Sequence, residues 1–328
     1  MVNALVTRNV DGKISSTVEE VDIRSTEEMP ILVRVEYSSM NYKDALVQTG
    51  QGNLVKAYPH VGGIDLAGTV VSGGGDEFPD GCGVIVTGWR VGELFWGGYA
   101  THAAVKKEWL VRLPEGMTAR QAMTAGTAGF TAMLSVMTLE ERGGLQPSDG
   151  PVLVTGATGG VGSYAMNILA SVGYEVTAVT NKAQSHEYLR SLGARSILPR
   201  EEFDPDPKRP LAKEVWAACV DSVGGNTLGN VLSQIKYGGS VAAVGLAGGS
   251  GLTTTVIPFI IRGVQLLGID SVMCPTDRRS AVWNRLADFE KAKGPIDVQE
   301  IDLASISEAA RRILAGEISG RLLVRLDR

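Results

Sequence analysis

The sequence predicts an α/β fold in two parts: a β-rich domain of short antiparallel strands, then a doubly wound parallel sheet. Three observations carry this reading. Gly and Pro punctuate short alternating strands up to about Met123, strands and helices alternate after Gly150, and a glycine run joins a strand-like segment to a helix-like one at Val154–Ser163. A chain of 328 residues also exceeds what one core usually organises, so two domains are the default.

In the first part, Ile31-Leu32-Val33-Arg34-Val35-Glu36-Tyr37 and Gly68-Thr69-Val70-Val71 are typical of the short strands expected over residues 1–123. Ala122 to Met137 is Ala- and Met-rich and reads as a long helix. Within 124–269, Val152–Val154, Val176–Val179, Ala218–Asp221 and Ser240–Val244 are buried-strand candidates separated by helical stretches, with Gln265 to Ile269 as an edge strand. The tail Ser319 to Leu326 is again strand-like, and residues 270–328 are expected to return to the first domain. Asp204 to Pro210 reads as a surface loop.

Composition narrows the function classes. A net charge of −5 argues against a general nucleic-acid surface and requires any anion site to be local. No run approaches 18 uninterrupted apolar residues and the N-terminus lacks a basic region ahead of an apolar one, so neither membrane span nor signal peptide is expected. Cys82, Cys219 and Cys274 are scattered and form no disulfide framework, which fits a reducing cytoplasm.

The run Thr155-Gly156-Ala157-Thr158-Gly159-Gly160-Val161-Gly162-Ser163 has the grammar of a dinucleotide site, between the strand Pro151–Val154 and a helix expected over Tyr164 to Val172. Glycines let backbone approach a pyrophosphate, while the N–H groups and positive dipole end of the helix face the anion; Thr158, Gly159, Gly160 and Val161 are the expected contacts. The spacing departs from G-x-G-x-x-G, so an ordinary glycine-rich loop is the alternative. At the end of the next strand, Thr180, Asn181 and Lys182 stand where a carboxylate would bind a free ribose 2′-hydroxyl. Cations and small polar donors there suit a 2′-phosphate, so the cofactor expected is NADPH, with Arg200 as a second cation or else a solvated surface charge.

Asn41-Tyr42-Lys43-Asp44, Gly63-Ile64-Asp65, Gly159-Gly160-Val161-Gly162, Leu198-Pro199-Arg200 and Leu267-Gly268-Ile269-Asp270-Ser271-Val272 occur in this order. Together they resemble the medium-chain dehydrogenase/reductase superfamily, and within it the quinone-oxidoreductase-like branch that includes acryloyl-CoA reductase. The resemblance spans essentially the whole chain. It implies a GroES-like β-rich catalytic domain, a Rossmann domain and a returning C-terminus. Zinc-dependent members carry Cys near Asn41 and Gly-His-Glu near Gly63; this chain has neither, and His60, His102 and His186 are dispersed. A metal-free enzyme is therefore expected.

The implied reaction is NADPH-dependent reduction of the C=C bond of an enoyl-CoA, from acryloyl-CoA to propionyl-CoA, with NADPH:quinone or 2-alkenal reduction as the alternative. A non-catalytic NADPH-binding or nucleic-acid-associated protein of the same fold is a third reading. Tyr42 is expected to donate to the developing enolate, to order the nicotinamide ribose as a cofactor contact, or to deliver the proton through water, with Asn41 orienting it. Lys43 and Asp44 read as a loop brace, and Asp65 as a structural carboxylate. Topology places Leu246, in the loop after the fourth strand, where its backbone would touch the nicotinamide, and the resemblance points to Thr127, Ser271 and Arg321 as further cofactor contacts. Arg321, Arg278 and Arg279 are candidates for the coenzyme A phosphates, although the pair on a helix reads as a solvated face. The unpaired edge at Gln265–Ile269 makes a homodimer the expected assembly.

Overall fold

The computed structural model describes residues 1–206, 209–293, 296 and 298–326, so Pro207 and Lys208 of the expected surface loop lie outside the described residues. The chain forms two compact units, Met1–Thr127 with Ser271–Arg328, and Ala128–Asp270.

The first unit is organised by antiparallel strands whose alternate residues point inward, as their sequence period requires. Its main sheet is seven-stranded, running Val298–Ile301, Arg321–Arg325, Ile31–Met40, Asp65–Ser72, Gly83–Thr87 and Val111–Arg112, with His102–Val105 also paired to Ile31–Met40. The C-terminal strand pairs antiparallel through Leu322 opposite Met40 and Val324 opposite Ser38. A second sheet holds Lys13–Val21, Val2–Val10 and His60–Val61. Val33, Leu66, Val84, Val105 and Val324 meet in one core with Tyr99 and Ile306.

The second unit carries a six-stranded sheet ordered Ala194–Leu198, Val176–Val179, Val152–Val154, Trp216–Asp221, Ile235–Ala243 and Gln265–Gly268. Each pairing is parallel. The order reverses beside Val152–Val154, the strand that runs into the glycine run; loops at the carboxyl ends of strands flanking such a reversal form a crevice in open α/β sheets. Gln265–Gly268 is the sheet's edge, as its sequence position predicts.

Two elements differ from the sequence reading. The helix expected over Ala122 to Met137 runs Ala119–Glu141 and is broken at Gly126, with φ 51° and ψ −155°. It is long and apolar enough to cross a membrane, but its most apolar stretch is 94% buried, as a core helix is. The helix expected to begin at Tyr164 begins at Gly160. Propensity alone sets glycines outside a helix, and here the contact of Gly162 with the preceding turn overrides it.

Candidate functional site

In the first unit the sequence Asn41-Tyr42-Lys43-Asp44 becomes the start of the helix Tyr42–Thr49, with Asn41 as N-cap. Asp44, at the third helical position, accepts the Asn41 backbone N–H at 2.9 Å through Oδ2, half of a capping box. Its Oδ1 accepts the Ile64 N–H, also at 2.9 Å. The Asn41 amide donates to Asp65 Oδ2 at 2.9 Å and to Ser39 Oγ at 3.1 Å. Asp65 also accepts Ser39 Oγ and Thr127 Oγ1, both at 2.5 Å, and the Thr127 N–H at 2.8 Å. Arg321 completes the cluster, donating to Thr124 O at 2.9 Å and to Asn41 Oδ1 at 3.1 Å.

Asp44 and Asp65 are fully buried and Arg321 nearly so. Burial and the nearby Asp65 charge push the Asp44 carboxyl up to about 7, against the hydrogen bonds it accepts. Burial, then the two aspartates, push the neighbouring Tyr99 phenol well above its ordinary range, while Arg321 pulls it the other way. The break at Gly126 makes room for this cluster, since a Cβ there would stand 2.5 Å from Ser39 Oγ and 2.6 Å from Asp65 Oδ2.

Tyr42 lies outside that buried set with half its surface exposed, so its ring is presented to solvent from the helix start. Lys43 bridges to the buried Glu93 at 2.9 Å, and Arg90 meets the same carboxylate at 3.3 Å. Lys43 and Asp44, read together as a brace, thus have separate partners. His60 is buried with Nε2 2.9 Å from Gly92 O, and burial lowers its pKa. Among the described residues no group of three or more His, Cys, Asp or Glu converges as a metal site.

One expectation is overturned here. Arg279 is not on a solvated face: it is fully buried, donating to Thr87 O at 2.8 Å and to the carbonyls of Ser271, Val272 and Cys274 at 3.2 Å, with Trp89 stacked at 5.1 Å. It ties main chain together and offers nothing to a phosphate. Ser271, a predicted cofactor contact, uses its carbonyl in this tie.

In the second unit Gly159 is the N-cap of the helix Gly160–Ser171, and no side chain caps that end. Gly156 has φ 59°, a left-handed turn, and a Cβ at Gly162 would overlap Gly156 O and stand 2.7 Å from Ala157 Cα. The loop therefore lies flat against the first helical turn, leaving its opening free of side chains, which fits a dinucleotide pyrophosphate. Thr158 is buried within this turn and Val161 is half-buried on it. Thr180 Oγ1 accepts the Lys182 N–H at 3.1 Å, and Asn181 Oδ1 accepts the Arg200 N–H at 2.6 Å, joining two strand ends into one polar rim. Burial lowers the Lys182 pKa. The Arg200 side chain is exposed and pairs with Asp204 at 2.8 Å. Leu246 is 64% exposed on the loop after Ile235–Ala243.

The proximity of Asp44 to Asp65, with the Tyr99 phenol buried beside them, escapes sequence reasoning, which places neither their burial nor their neighbourhood. The Asn41-x-x-Asp44 spacing is the one available signal, being that of a capped helix start.

Residues 27–115 match the family model of the alcohol dehydrogenase GroES-like domain and residues 160–288 that of the zinc-binding dehydrogenases. The fold and site thus define a dehydrogenase/reductase of two units. The chain belongs to the medium-chain dehydrogenase/reductase superfamily, in the branch of acrylyl-CoA reductases and quinone-oxidoreductase-like proteins. It is 52% identical to acrylyl-CoA reductase AcuI of Ruegeria pomeroyi over 99% of both chains. It is similar to the YhdH oxidoreductase of Salmonella enterica crystallised with NADP, with a TM-score of 0.95, 47% identity and coverage of 99% of this chain and 100% of that one. Bacillus subtilis YhfP, crystallised with NAD, gives a TM-score of 0.94 at 43% identity, with 99% of each chain covered.

Proposed function

We propose that this protein reduces the C=C bond of a 2-enoyl-CoA with NADPH, acting on acryloyl-CoA to give propionyl-CoA. The observation that carries the reading is the 52% identity, over 99% of both chains, with a protein named acrylyl-CoA reductase. The uncapped helix opening at Gly160 and the polar rim of Thr180, Asn181, Lys182 and Arg200 support a 2′-phosphorylated dinucleotide.

NADPH, when bound, would supply the hydride for the β-carbon of the alkene, and the α-carbon would take its proton from water, discharging the negative charge left on the thioester oxygen. Gly159, Gly160 and Val161 hold the pyrophosphate through backbone N–H groups, Thr158 lines the turn, and Thr180, Asn181, Lys182 and Arg200 take the 2′-phosphate. Leu246 contacts the nicotinamide through its backbone. Tyr42 donates its phenolic O–H to the developing enolate. Asn41 positions Tyr42, because its amide is committed to Asp65 and Ser39 and its carbonyl to Arg321. Thr127 and Arg321 belong to the same cluster, Thr127 on Asp65 and Arg321 on Thr124 O and Asn41 Oδ1.

We further infer a zinc-free enzyme, because Asn41 and Ile64 stand where zinc-dependent relatives place Cys and His and because the Asn41 amide is already engaged. Elemental analysis finding one zinc per chain overturns this. A cytoplasmic location fits the three free cysteines. The edge strand Gln265–Gly268, with exposed Val256, Ile260 and Ile261 beside it, supports a homodimer, which light scattering of the purified protein tests.

The deciding experiment compares NADPH consumption with acryloyl-CoA, crotonyl-CoA, acrolein and a quinone at equal concentration. Highest kcat/KM for acryloyl-CoA is expected, and a large loss when coenzyme A is shortened to a small thiol, since remote binding energy supports the reacting geometry. Equal rates with acrolein or a quinone would favour the free-electrophile reductase.

A further inference from the structure

We propose that Asp221 is a positioning residue for the cofactor, its two carboxylate oxygens fastening the turn at Thr155–Ala157 to the loop at Val244–Gly249; this rests on the NADPH reading above. Asp221 ends the strand Trp216–Asp221, beside Val152–Val154, and both it and Thr155 are fully buried. Asp221 Oδ1 accepts the Thr155 hydroxyl at 2.6 Å. That hydroxyl in turn accepts the Ser222 N–H at 3.1 Å, and Ser222 Oγ donates to Thr155 O at 2.9 Å. Thr155 is therefore held at its hydroxyl by Asp221 and Ser222 and at its carbonyl by Ser222, and a Cβ on Gly156 would run into Ser222 Oγ.

The other oxygen faces the opposite way. Asp221 Oδ2 accepts the Gly224 N–H at 2.8 Å. Gly224, at φ 71°, is pressed on the second loop, since a Cβ there would stand 2.7 Å from Gly249 O and 3.1 Å from Gly245 O. Val223 O accepts the Gly248 N–H at 2.7 Å, and Asp221 O accepts the Val244 N–H at 2.9 Å. One buried side chain thus sets the spacing between the loop assigned to the pyrophosphate and the loop carrying Leu246, assigned to the nicotinamide. The 2′-phosphate residues hang on other strand ends, and the contact between Asn181 and Arg200 does not pass through Asp221.

An amide replaces this carboxylate only in part. With its Oδ1 kept on the Gly224 N–H, an Asn side chain turns an N–H toward the Thr155 hydroxyl, which must then accept and loses the acceptor for its own proton. The experiment measures Kd for NADPH by fluorescence and for adenosine 2′-monophosphate by calorimetry, on full-length wild type, Asp221→Asn, Thr155→Val and Thr155→Ser, with melting temperatures alongside. Asp221→Asn and Thr155→Val are expected to weaken NADPH by about tenfold, roughly the cost of one buried hydrogen bond. Adenosine 2′-monophosphate should change by less than about twofold, and Thr155→Ser, which keeps the hydroxyl, should bind NADPH as wild type does.

Equal weakening of both ligands would mean general loosening and overturn the assignment, as would unchanged NADPH affinity in Asp221→Asn. If Asp221→Asn does not fold, the threonine pair decides: equal NADPH affinity of the Val and Ser variants overturns the proposal. A wild-type chain that binds adenosine 2′-monophosphate but not NADPH overturns it as well. A wild type that binds neither removes the nucleotide reading beneath it, a failure distinct from any difference among variants.

Discussion

Asp44 and Asp65 share one donor residue: Asn41 gives its backbone N–H to Asp44 at 2.9 Å and its side-chain amide to Asp65 at 2.9 Å. Two carboxyls are thereby brought together inside the fold with Arg321 as the nearby cation. Asn41→Asp keeps the side-chain shape but replaces the donor with a third acid. It should lower the melting temperature by several degrees, more at pH 8 than at pH 5, where protonation relieves the repulsion. Equal losses at both pH values would mean that charge is not what the amide manages.

The raised pKa of Asp44 makes stability depend on pH in a definite direction. Its unfolded carboxyl releases its proton near 3.8, whereas the folded one holds it to about 7. Between those values the folded state binds the extra proton, so this group's contribution is complete below 3.8 and is lost as pH rises through about 7. The scale is roughly 1.4 kcal/mol per pKa unit. Asp44→Asn cannot titrate, so the fall in unfolding free energy from pH 5 to pH 8 seen by denaturant titration should shrink in the variant. An unchanged fall would place the titration elsewhere.

Tyr42 occupies the first helical position with half its surface exposed, so removing its hydroxyl disturbs no core. Tyr42→Phe should leave the melting temperature within about a degree and reduce kcat/KM for acryloyl-CoA by about a hundredfold, the usual effect of deleting one donor to a developing oxyanion. Undiminished kcat/KM would leave the enolate without this donor.

Lys182 is half-buried beside Thr180 and Asn181, and burial already lowers its pKa, as expected for a cation held where an anion would offset its desolvation. A charge-assisted hydrogen bond contributes about 1.5–3 kcal/mol, so Lys182→Ala should cut the NADPH over NADH preference in kcat/KM by about tenfold or more. An unaltered preference would move the 2′-phosphate off this rim.

The inner parallel strands Val152–Val154, Val176–Val179 and Trp216–Asp221 were legible because each is a short, mainly apolar run buried throughout, and the edge strand because Gln265–Gly268 follows the last parallel strand. The glycine run was legible because backbone approach demands that residue type. Arg279 was not: two adjacent arginines on a helix look solvated, and only tertiary structure shows carbonyls of Thr87, Ser271, Val272 and Cys274 converging on one of them. Asp221 was read as the end of a strand, since nothing in Ala218–Asp221 reveals that a hydroxyl from the adjacent strand meets its carboxylate. Spacing along the chain encodes the elements, whereas the polar contacts between elements depend on strand order.

Gly159 and Gly162 sit three residues apart yet should fail differently when given a side chain. A Cβ at Gly159 meets only Gly156 O, at 3.3 Å, a tight contact that a shift of a few tenths of an ångström relieves. A Cβ at Gly162 runs into Gly156 O and lies 2.7 Å from Ala157 Cα, and both are backbone atoms that must move together with the turn. Gly162→Ala should therefore lower the melting temperature by several degrees and weaken NADPH, because the displaced turn carries the N–H groups assigned to the pyrophosphate. Gly159→Ala should keep the melting temperature within about a degree and still weaken NADPH, since its methyl group stands at the helix opening. Thermal melts paired with NADPH titrations separate the two, and a Gly159→Ala protein with wild-type affinity would mean that the pyrophosphate does not approach this cap.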